Sequence, residues 1–204
     1  MNLTRLGRFE IVREIGKGAM GQVFLADDPK IDRKVAIKTI VLPPGTSADE
    51  ARETSQRFLR EAQAAGRLLH PNIVTIFDVG EENGVSFIAM EFIEGETLEK
   101  HTRPDTLLPL RRVQDLITQA AAALDHAHQN HIIHRDIKPA NLMVMKGGVL
   151  KVTDFGLAKS PSANLTQAGV LLGTPSYMSP EQIQGGELDG RSDLFSLGVV
   201  LYEL

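Results

Sequence analysis

His134-Arg135-Asp136-Ile137-Lys138-Pro139-Ala140-Asn141 decides the fold of this chain, because its side chains carry more chemistry than an ordinary turn requires. A turn can hold Asp136 and Asn141 for their local hydrogen bonding alone. It has no need of Lys138 and Pro139 as well. An aspartate here can accept the proton of a hydroxyl nucleophile, the lysine can neutralise a phosphoryl group in transfer, and the asparagine offers a side-chain carbonyl to a divalent cation. Eighteen residues beyond Asp136 stands Asp154-Phe155-Gly156, at the end of an expected strand. Asp154 is a hard-oxygen ligand of the kind that suits Mg²⁺.

Upstream lies Gly16-Lys17-Gly18-Ala19-Met20-Gly21, a pattern shared by dinucleotide folds and by loops that cover nucleotide phosphates. Alone it is also consistent with a simple tight hairpin. A dinucleotide fold opens a helix directly after the glycines, whereas Gln22-Val23-Phe24-Leu25-Ala26-Asp27 reads as a strand. The spacing therefore predicts a glycine hairpin whose backbone N–H groups approach phosphate oxygens without side chains in the way. Val35-Ala36-Ile37-Lys38 then sets a lysine in an apolar strand, where an ammonium group needs an anion. Glu61, in the helix that follows, is the candidate partner, although a solvated surface is the better explanation of either residue taken singly.

Around these motifs the pattern predicts strands over residues 8–15, 22–27 and 34–40, then a helix capped by Ser47 or Asp49 and running to about Leu69. Strands over 73–79 and 85–92 flank Asn83-Gly84, a hairpin signal, and complete a five-stranded antiparallel lobe with one helix. Beyond Gly95 the Ala-rich period of 110–129 predicts a long helix, and 142–145 with 150–153 bracket Gly147-Gly148 as a hairpin. Residues 160–176 read as a long functional loop, and 192–204 as an apolar helix.

The 204 residues suffice for one large domain or two lobes, and 42% hydrophobic with 24% charged residues is ordinary for a folded chain. Lysines and arginines number 22 against 26 acidic residues, a net charge of −4, so no global basic field is available to hold nucleic acid. Zero cysteines exclude disulfides, thiolate metal sites and cysteine nucleophiles. No apolar stretch is long enough to span a bilayer, which predicts a cytoplasmic location unless an anchor follows Leu204.

Taken together and in this order, the motifs resemble the catalytic domain of eukaryotic-type serine/threonine protein kinases, in a bacterial style suggested by Tyr177-Met178-Ser179-Pro180-Glu181. The resemblance covers the whole chain, 1–204, and implies an α+β, two-lobed fold. Residues 8–93 would form the N-lobe and 94–204 a partial, mainly helical C-lobe. It implies ATP with Mg²⁺, or Mn²⁺ in its place, as cofactors. Asp136, Lys138, Lys38 and Glu61 would be catalytic, Asn141 and Asp154 would hold the metal, and Gly16, Lys17, Gly18 and Gly21 would cover the phosphates. Val23, Ala36 and Met143 would sandwich adenine, Met90 would stand behind it, and the backbones of Glu91 and Ile93 would hydrogen-bond it. Ala65, Ile76, His134 and Phe155 match the family's stacked apolar spine, and Asp193 would tie down the turn around Arg135.

Arg135 is a cation beside the catalytic aspartate, and phosphorylation of Thr166 would supply the anion it lacks. Thr174 is expected to be structural. Protein substrates bearing Ser or Thr are implied, with a homodimer as the arrangement in which two copies would phosphorylate each other. Two rivals stand beside this expectation: a pseudokinase or interaction scaffold that retains nucleotide binding, and a small-molecule phosphotransferase of related fold. The chain also departs from the family. Glu181 should meet an arginine from a later helix, and that arginine and three further helices are missing, which reads as a C-terminal truncation leaving apolar faces of the last helix exposed.

Overall fold

The computed structural model describes residues 3–18, 21–40, 45–155 and 175–204. The chain divides into two compact units, Met1–Arg67 with Thr75–Ile93, and Leu68–Val74 with Glu94–Leu204. The loop expected over 160–176 falls almost wholly outside the described residues, as do Ala19, Met20, Gly156, Thr166 and Thr174.

In the first unit β1 (Arg5–Leu6), β2 (Phe9–Gly18), β3 (Gly21–Asp28), β4 (Arg33–Ile40), β5 (Ile76–Glu82) and β6 (Val85–Glu91) form an antiparallel sheet of order β1-β2-β3-β4-β6-β5. Six strands replace the expected five. The additional one, β1, is a two-residue edge strand held by the pair Leu6↔Phe9, too short to show any period in sequence. Successive side chains in a strand point to opposite faces. Phe24, Ala26, Val35, Ile37, Phe87 and Ala89 accordingly join Leu6 and Phe9 in one buried cluster, with Phe9 and Phe87 in edge-to-face contact at 6.2 Å. The alternate positions, Val23, Ala36, Lys38 and Met90, share the other face, because Val23 pairs with Lys38 and Ala36 with Met90.

Helix α1 (Ala48–Ala65) starts at a capping box: Ser47 Oγ accepts the Glu50 N–H, and the Glu50 carboxylate accepts the Ser47 N–H. Those bonds from the Ser47 backbone and hydroxyl hold the Glu50 carboxyl below its ordinary range. Phe58, Ala62 and Ala65 are buried as α1 packs on β5 and β6. The helix stops four residues short of the expected Leu69, at Gly66; Leu68 turns inward while Leu69 is left 74% exposed. The strand expected from Ile73 also begins later, at Ile76. Ile73 and Val74 serve the second unit instead, where Val74 N–H donates to Val152 O at 3.0 Å and Val152 N–H to Asn72 O at 2.8 Å.

The second unit holds α2 (Leu110–Gln129), a sheet of β7 (Gly95–Thr97), β8 (Leu142–Met145) and β9 (Leu150–Val152), and the helices α3 (Pro180–Gln184) and α4 (Gly190–Glu203). The expected hairpin is β8–β9, widened by β7 on the outer side of β8. Val113, Leu116, Ala120, Ala123, Leu124 and Ala127 make the buried stripe of α2, which packs on α4 and β9. Leu197 and Val200 are buried on α4, whereas Leu194, Phe195, Leu201 and Tyr202 are exposed.

Candidate active site

In the second unit Pro139 opens a short 3-10 turn over Pro139–Asn141, its fixed φ suiting the first position. The turn folds the loop back on itself. Asn141 Nδ2 donates to the Asp136 carbonyl at 2.7 Å and to Asp136 Oδ2 at 3.1 Å, and Lys138 Nζ lies 2.9 Å from the same Oδ2. One carboxylate oxygen thus meets a cation and an amide donor. Of the three side chains expected to act together, Lys138 and Asn141 therefore both meet Asp136.

The next layer fixes that loop. His134 is fully buried; its Nδ1 accepts the Asp136 N–H at 3.2 Å, so Nε2 carries the ring proton and donates to Thr153 O at 2.8 Å. Thr153 N–H and Oγ1 both donate to Asn141 O, at 2.9 and 3.2 Å. Asp154 follows directly, in the left-handed region at φ 64°, and Phe155 packs against the His134 ring at a tilt of 58°, 4.6 Å between centroids. Of the expected spine, His134 and Phe155 are thus in contact within this unit, while Ala65 and Ile76 belong to the first.

Arg135 also takes a left-handed φ, 67°. Asp193, 1% exposed, holds it: Oδ1 accepts the Arg135 N–H and Oδ2 the His134 N–H, each at 2.8 Å, as the resemblance implied. Two further partners escaped sequence reasoning. His128 Nε2 lies 2.8 Å from Asp193 Oδ2, and Gln182 Nε2 donates to Arg135 O at 2.8 Å. Signals for both existed: His128 follows Leu124 by one helical turn on the buried stripe, and Ser179-Pro180-Glu181-Gln182 has the spacing of a capping box. Arg135 Nε is buried and has no hydrogen-bond partner among the described residues. Glu181, expected to await an arginine, accepts a hydrogen bond from Ser192 Oγ, which is the main cause holding its carboxyl below the usual range.

The first unit carries the expected nucleotide residues. β2 and β3 pair through the glycine motif at Gly16↔Val23, Lys17↔Gln22 and Gly18↔Gly21, so a strand follows the glycines where a dinucleotide fold would have a helix. A Cβ on Gly21 would lie 1.8 Å from Thr39 O, so the last glycine is required by the close approach of β4. Lys38 is half-buried on β4 opposite Ile88, and Glu61 lies on α1 beside buried Ala62. Met90 is buried at the end of β6; the Glu91 N–H donates to Thr75 O at 2.8 Å, and Ile93 is buried just beyond. Met143, on β8, belongs to the second unit with Asp136, Asn141 and Asp154.

The protein kinase domain profile matches residues 9–204. The chain belongs to the protein kinase domain family. Over 199 residues this kinase domain is 44% identical to the serine/threonine-protein kinase PrkC of Bacillus subtilis, covering 97% of this chain and 30% of that protein. It is 42% identical over 205 residues to the serine/threonine-protein kinase PknB of Mycobacterium leprae, and 42% over 207 residues to the serine/threonine-protein kinase pkn3 of Myxococcus xanthus. It covers 97% of this chain in both cases, with 32% and 37% of those relatives. The kinase domain thus spans about a third of the length of these relatives. Among the described residues no helix is long and apolar enough to cross a membrane.

Members of this family use ATP with Mg²⁺. The residues present fit that pair. Asn141 directs its amide nitrogen to Asp136, which leaves its side-chain oxygen as the atom that would meet a cation, and Asp154 would add a carboxylate next to the residue bonded to Asn141 O. A protein that contributes only one or two such oxygens leaves the remaining Mg²⁺ positions to phosphates and water.

Proposed function

We propose that this kinase domain transfers the γ-phosphoryl group of ATP to serine and threonine hydroxyls of protein substrates. The observation that supports it best is the Asp136 carboxylate held between Lys138 Nζ and Asn141 Nδ2. Asp136 receives the proton of the attacking hydroxyl as its oxygen bonds to the γ-phosphorus and the bond to ADP breaks. Lys138 stabilises charge on the moving phosphoryl group. Asn141 and Asp154 would hold Mg²⁺, which would neutralise charge on the phosphate oxygens. In the first unit the Gly16, Lys17, Gly18 and Gly21 backbone would cover the phosphates, and Lys38, aligned by Glu61, would supply positive charge to them. Val23 and Ala36 would pack on adenine, Met90 would limit its depth, and the Glu91 carbonyl and the Ile93 backbone would bond its edge. The Glu91 N–H is already committed to Thr75. A scaffold would leave Lys38, Glu61, Asp136, Asn141 and Asp154 without a common purpose.

Radiolabel transfer from ATP to a serine-containing protein tests this reading. Asp136→Asn should lower turnover by well over tenfold, about 1.4 kcal/mol of transition-state stabilisation; a variant within tenfold of the parent overturns the assignment. A melt with saturating Mg-ATP should rise by roughly 2–4 °C per kcal/mol of binding energy, and Asp154→Asn should blunt that rise.

Regulation follows from Arg135. Phosphate on Thr166 would bring about −1.5 to −2 charge to a guanidinium whose Nε has no partner among the described residues. Phosphopeptide mapping that finds Thr166 bare in active protein, with Thr166→Ala fully active, overturns it. Exchange of phosphate between two copies would make the phosphorylation rate second order in kinase, and a location in the cytoplasm would be read by fractionating cells.

A further inference from the structure

Gln182 is 5% exposed, and its amide serves two partners with opposite demands. Oε1 accepts the Ser179 N–H at 3.0 Å, while the Gln182 N–H donates to Ser179 Oγ at 3.4 Å, completing the capping box of α3. Nε2 reaches the other way and donates to Arg135 O at 2.8 Å. The cap needs only an acceptor at this position, and a glutamate supplies it as well as a glutamine. The donor to Arg135 is therefore surplus to capping. Only an amide offers both functions at once.

Its target is a residue that must be held. Arg135 sits at φ 67°, a conformation that non-glycine residues keep only where the surroundings impose it. Asp193 grips its N–H at 2.8 Å and Gln182 its carbonyl. That carbonyl belongs to the peptide plane from which Asp136 projects, so the bond sets the direction of the Asp136 carboxylate. We propose that Gln182 is a positioning residue for phosphoryl transfer, acting through the Arg135 carbonyl to aim Asp136, a role that rests on Asp136 being the proton acceptor.

Gln182→Glu separates the two functions, since the carboxylate still caps α3 but cannot donate to Arg135. The expected result is a kcat lowered on the order of ten- to a hundredfold, with KM for Mg-ATP unchanged. Amide exchange over residues 134–138 should speed up while that over 180–184 holds, a readout that needs no turnover. Should Gln182→Glu fail to fold, Gln182→Met, which loses both bonds, is compared with Ser179→Ala, which loses the cap alone. The loop should open in the first and stay closed in the second. Wild-type kcat with unchanged loop exchange in Gln182→Glu overturns the proposal, as does equal loop opening in the fallback pair. Asp136→Asn is the companion control: if it leaves turnover intact, the proton-acceptor reading fails, whereas a dead Asp136→Asn beside a fully active Gln182→Glu rejects the role of Gln182 alone.

Discussion

Asp193 Oδ2 accepts the backbone N–H of His134 and lies 2.8 Å from Nε2 of His128, so the last turn of α2 and the catalytic loop share one buried oxygen. The carboxylate can only accept, which puts the His128 ring proton on Nε2. With Oδ1 on the Arg135 N–H, the group closes three hydrogen bonds in a site 1% exposed.

Asp193→Ala should therefore lower stability by about 1–3 kcal/mol, since it strands two backbone donors in a dry site. Urea denaturation measures this, and the same variant should exchange the His134 and Arg135 amides faster than the parent.

Gly190 and Gly198 lie on the same helix and should respond oppositely to alanine. At Gly190 a Cβ would stand 2.6 Å from Nδ1 of His128 and push the ring away from Asp193, whereas at Gly198 it would meet nothing within 4 Å. Gly190→Ala is expected to destabilise by about 1–3 kcal/mol. Gly198→Ala should gain up to about 1 kcal/mol from the better helix former. Paired thermal melts decide between the two signs.

His70 stacks on His126 at 5.3 Å, and burial, then the charges of His126 and Lys151, hold its pKa below the ordinary histidine value of 6.5. The unfolded chain consequently takes up a proton at His70 before the folded chain does. Stability is fully present above pH 6.5 and falls as pH drops from there through the lowered folded value. His70→Phe should flatten that part of the urea midpoint against pH curve; an unchanged slope between pH 7 and pH 5 would show that other groups carry it.

What sequence showed well was whatever strong local pattern dictates. The Asn83-Gly84 hairpin, the amphipathic stripe of α2 and the turn around Asp136 each depend on neighbours a few residues apart, and each appears where expected. Leu6 and Phe9 pair across a tight turn, but a two-residue strand is too short to show a period, and Gln182 finds Arg135 across 47 residues, a contact no local period announces. Glu181 went the other way. The family expectation looked to an arginine, and the structure adds a nearer partner, the Ser192 hydroxyl, which donates to the Glu181 carboxylate.

The segment Leu68–Val74 belongs to the second unit although the first unit continues after it. Asn72 Nδ2 donates to Leu150 O, 78 residues later, and Val74 waits for Val152. During synthesis the strands of the first unit can pair as soon as Glu91 has left the ribosome, yet this short stretch stays without its partners until β9 emerges. A nascent chain arrested before Leu150 would thus carry a finished sheet interrupted by a short stretch whose backbone groups lack the partners they have in the folded chain.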